Sequence, residues 1–324
     1  MKICVVGAGA IGGYLGAKLA LCGEQVTLIA RGTHLDAIQQ NGLKLVMADG
    51  AEHLIKDVIA TSDMSKAGSQ YDVVILALKT YSVSAIAPAM RALYGPETMV
   101  VTAQNGIPWW YFRKHGKEFE GQRIQSVDPD GIVETNIEVD RVIGCVVYPA
   151  AELVEPGIVR HIEGDRFSLG ELDGSKTERI QLLSQTLSRA GLKAPIRTRI
   201  RSDIWVKLWG NLAFNPISAL TRATLENICQ YPLTRELARN MMMEAQAIAE
   251  RLGVEFGITL EQRINGAEKV GAHKTSMLQD IETGRPTEVD AIVGAVAELG
   301  RLTNIPTPHI DAIYASVKLL EKTN

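Results

Sequence analysis

The sequence predicts an α/β amino-terminal half followed by an all-helical carboxy-terminal half. Three observations point there. Residues Lys2–Val6 form an apolar β run that breaks directly into Gly7-x-Gly9-x-x-Gly12 and then into a helical pattern. Continuous apolar runs recur at Tyr71–Leu78, Thr98–Ala103 and Val142–Val147, as expected of strands covered on both faces. From about Ile200 strand-like segments become few and long amphipathic helical patterns take over.

The first helical pattern, Gly13–Cys22, stops at Gly23, a C′ glycine. A second strand, Gln25–Ala30, completes a βαβ unit of roughly 30 residues. A strand that ends in this glycine spacing is the signature of a dinucleotide-binding turn. Gly7 permits the tight turn, Gly9 leaves room for a pyrophosphate, and Gly12 lets the helix pack closely on the sheet. With Ala8, Ala10 and Ile11 between them, Gly7–Gly12 is the candidate cofactor-binding segment. The unpaired N–H groups at the helix start face the phosphates. This predicts a Rossmann-type domain.

The tip of the second strand chooses the cofactor. It reads Ala30-Arg31-Gly32 and carries no acid to receive ribose hydroxyls. A planar guanidinium suits the extra 2′-phosphate of NADP. Asp36 lies beyond Gly32, on the next helix. The expectation is therefore NADP(H), with Arg31 on the phosphate.

Short strands are expected at Leu43–Val46 and His53–Val58, and a hairpin or paired edge strands at Gly157–Ile162 and Arg166–Gly170. The helical patterns of the second half cover Asp203–Asn215, Leu233–Leu252, Leu260–Val270, Glu288–Leu302 and His309–Lys322. Gly191 and Pro195 mark a junction, which gives a dinucleotide domain at 1–195 and a helical domain at 196–324. No internal repeat or low-complexity tract interrupts either.

At 324 residues, 46% hydrophobic and 22% charged, the chain has the composition of a two-domain globular protein. A net charge of −3 does not suggest nucleic acid or an anionic membrane as partner. No apolar run is long enough to span a membrane, and a strand at the amino terminus leaves no place for a signal peptide. Cys4, Cys22, Cys145 and Cys229 are scattered, which suits a reduced cytoplasmic protein. The histidines at 34, 53, 115, 161, 273 and 309 show no paired spacing, so no metal is predicted.

Lys207, Asn211 and Asn215 stand out in the second half. At i, i+4 and i+8 they line one helix face among Trp205, Leu208, Trp209, Leu212 and Phe214. Such polar groups on a buried-looking helix need a cleft or partners. The plain alternative is a solvated lysine, a surface asparagine, and Asn215 ending the helix before Pro216. Further on, Thr287 can cap a helix whose first turn holds Glu288 and Asp290, and Ser276 can serve as an N-cap. The run Arg197-x-Arg199-x-Arg201 reads as a solvated face.

The glycine turn, Arg31, Lys79 after its strand, Asn105-Gly106 after the next, Trp205-x-Lys207-x-x-x-Asn211-x-x-x-Asn215-Pro216, and Ser276-Met-Leu-Gln-Asp280 followed by Thr287-Glu288-Val-Asp290 fall in order along the chain. Together they resemble the ketopantoate reductase (2-dehydropantoate 2-reductase) family over nearly the full length. The resemblance implies reduction of 2-dehydropantoate to (R)-pantoate with NADPH, on the way to pantothenate. It implies that Lys207 is the general acid, charged at neutral pH, and polarises the carbonyl before giving its proton. Asn211, Asn215 and Ser276 would hold the substrate together with Lys207. Glu288 would contact the cofactor ribose or help orient the Lys207 region. Arg31 would hold the 2′-phosphate, and Lys79, Asn105 and Ala150 would line the cofactor.

Two departures qualify the substrate. Where the family often has a further asparagine this chain has Leu225, so one polar contact is missing or comes from Thr221 or Thr224. After Gly106 the chain reads Ile-Pro-Trp109-Trp110-Tyr111-Phe112, aromatics that either pack in a core or subunit contact or shape a pocket for a more apolar 2-oxo acid. The competing readings are a reductase of another branched or aromatic 2-oxo acid and a non-catalytic NADP-binding regulator. A small-molecule substrate and a homodimer are the expected partners.

Overall fold

The computed structural model describes residues 1–323. They form two compact units. The first contains 1–104, 112–122 and 131–200; the second contains 105–111, 123–130 and 201 onward. Ile196–Ile200 group with the first unit, while two short stretches from the first half group with the helical one. The physical reason is specific bonding. Ile107 N–H donates to Ala291 O, and Glu298 accepts from Gln125 N, Ser126 N and Ser126 Oγ.

The first unit begins β1 (Lys2–Val6), α1 (Ala10–Leu21), β2 (Gln25–Ile29) and α2 (Gly32–Asn41). It continues β3 (Leu43–Val46), β4 (Glu52–Ile55), β5 (Val58–Thr61), β6 (Tyr71–Leu76), α3 (Val83–Met90) and β7 (Tyr94–Thr102). Then come α4 (Ile132–Asn136), β8 (Val142–Val147), β9 (Ala150–Glu155), β10 (Ile158–Glu163), β11 (Phe167–Glu171) and α5 (Glu178–Arg189). Seven strands form one sheet in the order β11-β8-β7-β6-β1-β2-β5. All neighbours are parallel except the β8–β11 pair. The buried strands β1, β6 and β8 read as near-continuous apolar runs because both faces are covered.

A second sheet, β4-β3-β10-β9, lies on the far side of α1. Glycines let the helix fit between the two: a Cβ at Gly13 would lie 2.8 Å from Val159 of the small sheet, and one at Gly16 2.7 Å from Leu28 of the large one. Tyr14 stacks on His161 with ring centroids 4.6 Å apart.

This second sheet explains two departures from the expected strands. The run His53–Val58 splits because β4 pairs antiparallel with β3 while β5 pairs parallel with β2, and one straight strand cannot serve both sheets. The expected pairing of Gly157–Ile162 with Arg166–Gly170 does not form. β10 turns back on β9 through Gly157 (φ +81°), whereas β11 joins β8 in the large sheet.

The second unit holds α6 (Ile200–Thr221), α7 (Leu225–Gln230), α8 (Pro232–Arg251), α9 (Leu260–Glu268), α10 (Ser276–Glu282), α11 (Ala295–Thr303) and α12 (Pro308–Thr323). A π turn at Asp290–Gly294 leads into α11. Helix α6 does not stop at Asn215. It runs on through Pro216, because Ile217 and Ala219 are buried there and that packing outweighs the one N–H that proline removes. Trp205, Trp209, Leu212, Met241, Met242, Ile248, Val296 and Leu299 are buried in this unit, and Trp209 Nε1 donates to Met242 O at 2.6 Å. No helix among the described residues is long and apolar enough to cross a membrane.

The four cysteines are free thiols, three of them buried. Burial pushes the Cys4 thiol up to about 12 and the Cys229 thiol to about 11, so neither supplies thiolate near neutrality. Cys22 is only half-buried. Alkylation of the native protein at pH 8 should therefore mark Cys22 first, with Cys4 and Cys229 labelled only after unfolding; peptide mass spectrometry reads the order.

Candidate functional site

In the first unit the glycine turn is built as its spacing requires. Gly7 sits at φ +102°, and a Cβ there would meet Leu78 at 2.7 Å. A Cβ at Gly12 would fall 2.0 Å from Gly7 O, so the helix approach admits no side chain. Gly9 is different: a Cβ there meets no protein atom within 4 Å. Its bareness serves no packing and leaves space for something outside the chain. Gly9 is also the N-cap of α1 and makes no side-chain cap, so the first helical N–H groups, beginning at Ala10 and Ile11, lack a capping acceptor. These residues fit a dinucleotide pyrophosphate.

Arg31 is the exposed N-cap of α2 with extended backbone, its guanidinium available at the end of β2. His34, one turn into α2, is a further residue beside the glycine turn. Gly157 N–H donates to its Nδ1 at 2.9 Å, so the proton sits on Nε2, which donates to Ala8 O at 2.7 Å. The ring therefore ties the glycine turn to the β9–β10 connection. No local spacing signals this, because the acceptor lies 26 residues away and the donor 123. Lys79, half-buried, precedes a short 3₁₀ turn after β6, and half-buried Ala150 begins β9.

In the second unit three predicted residues meet. Lys207 Nζ donates to Asn105 Oδ1 at 2.6 Å, and Asn105 Nδ2 donates to Glu288 Oε2 at 3.3 Å. Glu288 is 5% exposed. A hydrogen bond from a charged donor contributes about 1.5–3 kcal/mol, so this acceptor matters to an ammonium on a largely buried helix face.

The stretch 105–111 runs along α6. Trp205 Nε1 donates to Tyr111 OH at 2.7 Å, and Arg201 Nε donates to Tyr111 O at 2.8 Å. Burial pushes the Tyr111 hydroxyl up to about 12. The guanidinium of Arg201 lies over the Trp110 and Tyr111 rings, so Arg201 is not part of a solvated face, although Arg197 and Arg199 are exposed. The aromatics Trp109–Phe112 are all buried and pack in the protein.

Asn211 and Asn215 follow Lys207 along the same face of α6. Asn211 is half-buried and Asn215 is 7% exposed. Among the described residues neither side-chain amide has a hydrogen-bonding partner. Ser276 is exposed at the first position of α10; the cap there is Thr275, whose hydroxyl accepts from Leu278 N at 3.3 Å. Thr287 does accept from Val289 N at 3.2 Å, but it also donates to Glu321 Oε1 at 2.7 Å. Asp290 does not return to that cap: it takes Tyr314 OH at 2.6 Å and Lys318 Nζ at 3.0 Å. Helix α12 thus grips the chain on both sides of Glu288. Near Leu225, Thr221 Oγ1 is bound to Ile217 O and Thr224 forms a capping box with Asn227, so both hydroxyls are engaged locally.

Comparison with known proteins identifies the family to which the whole chain is similar. The ketopantoate reductase PanE/ApbA model matches residues 3–174, and the corresponding C-terminal model matches residues 199–321. A 2-dehydropantoate 2-reductase of Mesorhizobium japonicum is 56% identical over 321 residues, covering 99% of this chain and 98% of that protein. One of Pyrococcus horikoshii is 32% identical over 99% of this chain and 98% of its own length. A solved structure from Ralstonia solanacearum is 43% identical, with TM-score 0.95, covering 100% of this chain and 98% of that one.

The His34 bridge has a measurable consequence. His34→Ala removes two hydrogen bonds beside the glycine turn, together about 1–3 kcal/mol. Dinucleotide binding, read by fluorescence titration, should weaken about tenfold while the protein stays folded.

Proposed function

The chain belongs to the ketopantoate reductase family, and on that footing we propose that it reduces 2-dehydropantoate to (R)-pantoate with NADPH. The observation that carries the reading is the Lys207–Asn105–Glu288 chain of hydrogen bonds. It supports Lys207 as the proton donor, Asn105 as an orienting amide and Glu288 as a buried carboxylate behind it, with Asn211 and Asn215 on the same helix face as Lys207.

Bound NADPH supplies the hydride that reduces the keto carbon. Gly7–Gly12 would hold its pyrophosphate and Arg31 its 2′-phosphate, with Lys79 and Ala150 lining the rest. Lys207 polarises the keto oxygen and gives it a proton as negative charge develops there. Asn105, held by Glu288, fixes the direction of the Lys207 ammonium. This arrangement supports the orienting role for Glu288 over a ribose contact. The unpartnered amides of Asn211 and Asn215 bind the substrate's carboxylate and hydroxyl, with the exposed Ser276 hydroxyl as a further donor.

The buried aromatics at 109–112 are spent in packing, so they lend no support to a different, more apolar acid. The scattered free thiols support a reducing, cytoplasmic setting. A homodimer is the assembly we propose, to be judged by light scattering against the 35.2 kDa chain mass.

NADPH absorbance should fall on addition of ketopantoate. Lys207→Ala should lower kcat by about 10²–10⁴ while leaving NADPH affinity within about twofold. Phenylpyruvate or 2-oxoisovalerate turned over well above ketopantoate would overturn the substrate assignment. NADPH binding with no turnover of any 2-oxo acid would instead identify a regulator.

A further inference from the structure

The π turn at Asp290–Gly294 directly follows Glu288 and Val289. In a regular α-helix the Ala295 N–H would donate to Ala291 O, four residues back. Here it reaches five residues back, to Asp290 O. The Ala291 carbonyl is thereby presented to a donor from outside the helix, and Ile107 N–H takes it at 2.9 Å. π turns inside helices cluster at functional sites, and this one brings a foreign strand of chain onto the helix one turn beyond Glu288.

The docking needs a bare Cα at the residue before Ile107. Gly106 lies at φ +83°, and a Cβ there would fall 2.4 Å from Ala291 O and 2.7 Å from its carbonyl carbon. These are backbone atoms, so no side-chain movement relieves the clash. The neighbour of Gly106 is Asn105, whose amide bridges Lys207 and Glu288.

We propose that the π turn and Gly106 form a positioning device for the reaction: the Ala291 carbonyl catches Ile107 N–H, and that catch holds Asn105 between Glu288 and the proton donor Lys207. The inference rests on the reductase reading above and adds to it two parts that act on the position of Asn105. Gly106 and Ala291 act through Asn105. The α12 contacts to Thr287 and Asp290 steady the other side of Glu288.

The test is Gly106→Ala in the full-length enzyme, with Gly271→Ala as control. Gly271 has nearly the same backbone angle (φ +81°), but a Cβ there meets nothing within 4 Å, so it carries the backbone strain without the displacement. Gly106→Ala should lower kcat for ketopantoate by about tenfold or more, with the Kd for NADPH changed less than about twofold; Gly271→Ala should leave kcat nearly unchanged. Because Gly106 acts through Asn105, adding Gly106→Ala to Asn105→Ala should slow the enzyme no further. Equal kcat in the two glycine variants, or full additivity with Asn105→Ala, would overturn the proposal.

Amide hydrogen exchange at Ile107 in the wild-type enzyme is an independent readout should Gly106→Ala not fold. Protection comparable with the core amides of α11 supports the catch, and free exchange refutes it. A wild-type protein that turns over no 2-oxo acid would sink the reductase reading, and Ile107 exchange would then still decide whether the docking exists.

Discussion

An ammonium on a helix face packed among tryptophans must find an acceptor, and the second unit is organised around supplying one to Lys207. One acceptor is Asn105, on a stretch of chain about 100 residues upstream, pinned along α6 by Arg201 and Trp205 at one end and against the π turn by Ile107 at the other. Trp109, Trp110 and Tyr111 belong to the same arrangement, and their burial anchors the segment.

The first unit solves a different problem, keeping a turn of backbone rigid while leaving its outer surface bare. Gly7 and Gly12 are forced by contacts within the fold, whereas Gly9 is under no such pressure. His34 adds a hydrogen bond to the turn from behind. Squeezing α1 between two sheets accounts for Gly13 and Gly16, which the nucleotide motif does not require. The first helix is therefore glycine-rich for two separate reasons, ligand approach and helix–sheet approach.

Much of this is legible in the sequence. The βαβ unit, the apolar strands at Tyr71 and Val142, the helical second half, and Lys207, Asn211 and Asn215 on one helix face follow from local periodicity. Periodicity failed where a residue's neighbours are distant in sequence. It joined β4 to β5 because nothing local says they serve different sheets. It ended α6 at Asn215 because the pre-proline bias is local and the packing that overrides it is not. It read Arg201 as solvated because the aromatic rings beneath it lie some 90 residues earlier.

The sequence by itself determined the kind of cofactor turn, the character of each half, and which side chains were chemically suited to proton transfer. Those properties are written in residue type and spacing over a few turns of chain. Only the tertiary structure decided what those side chains touch: that Asn105 serves Lys207 and Glu288, that Thr287 and Asp290 turn toward α12, and that a π turn frees a carbonyl for Ile107. Hydrogen bonds across 24 to 183 residues depend on how the chain returns to itself, which no local pattern encodes.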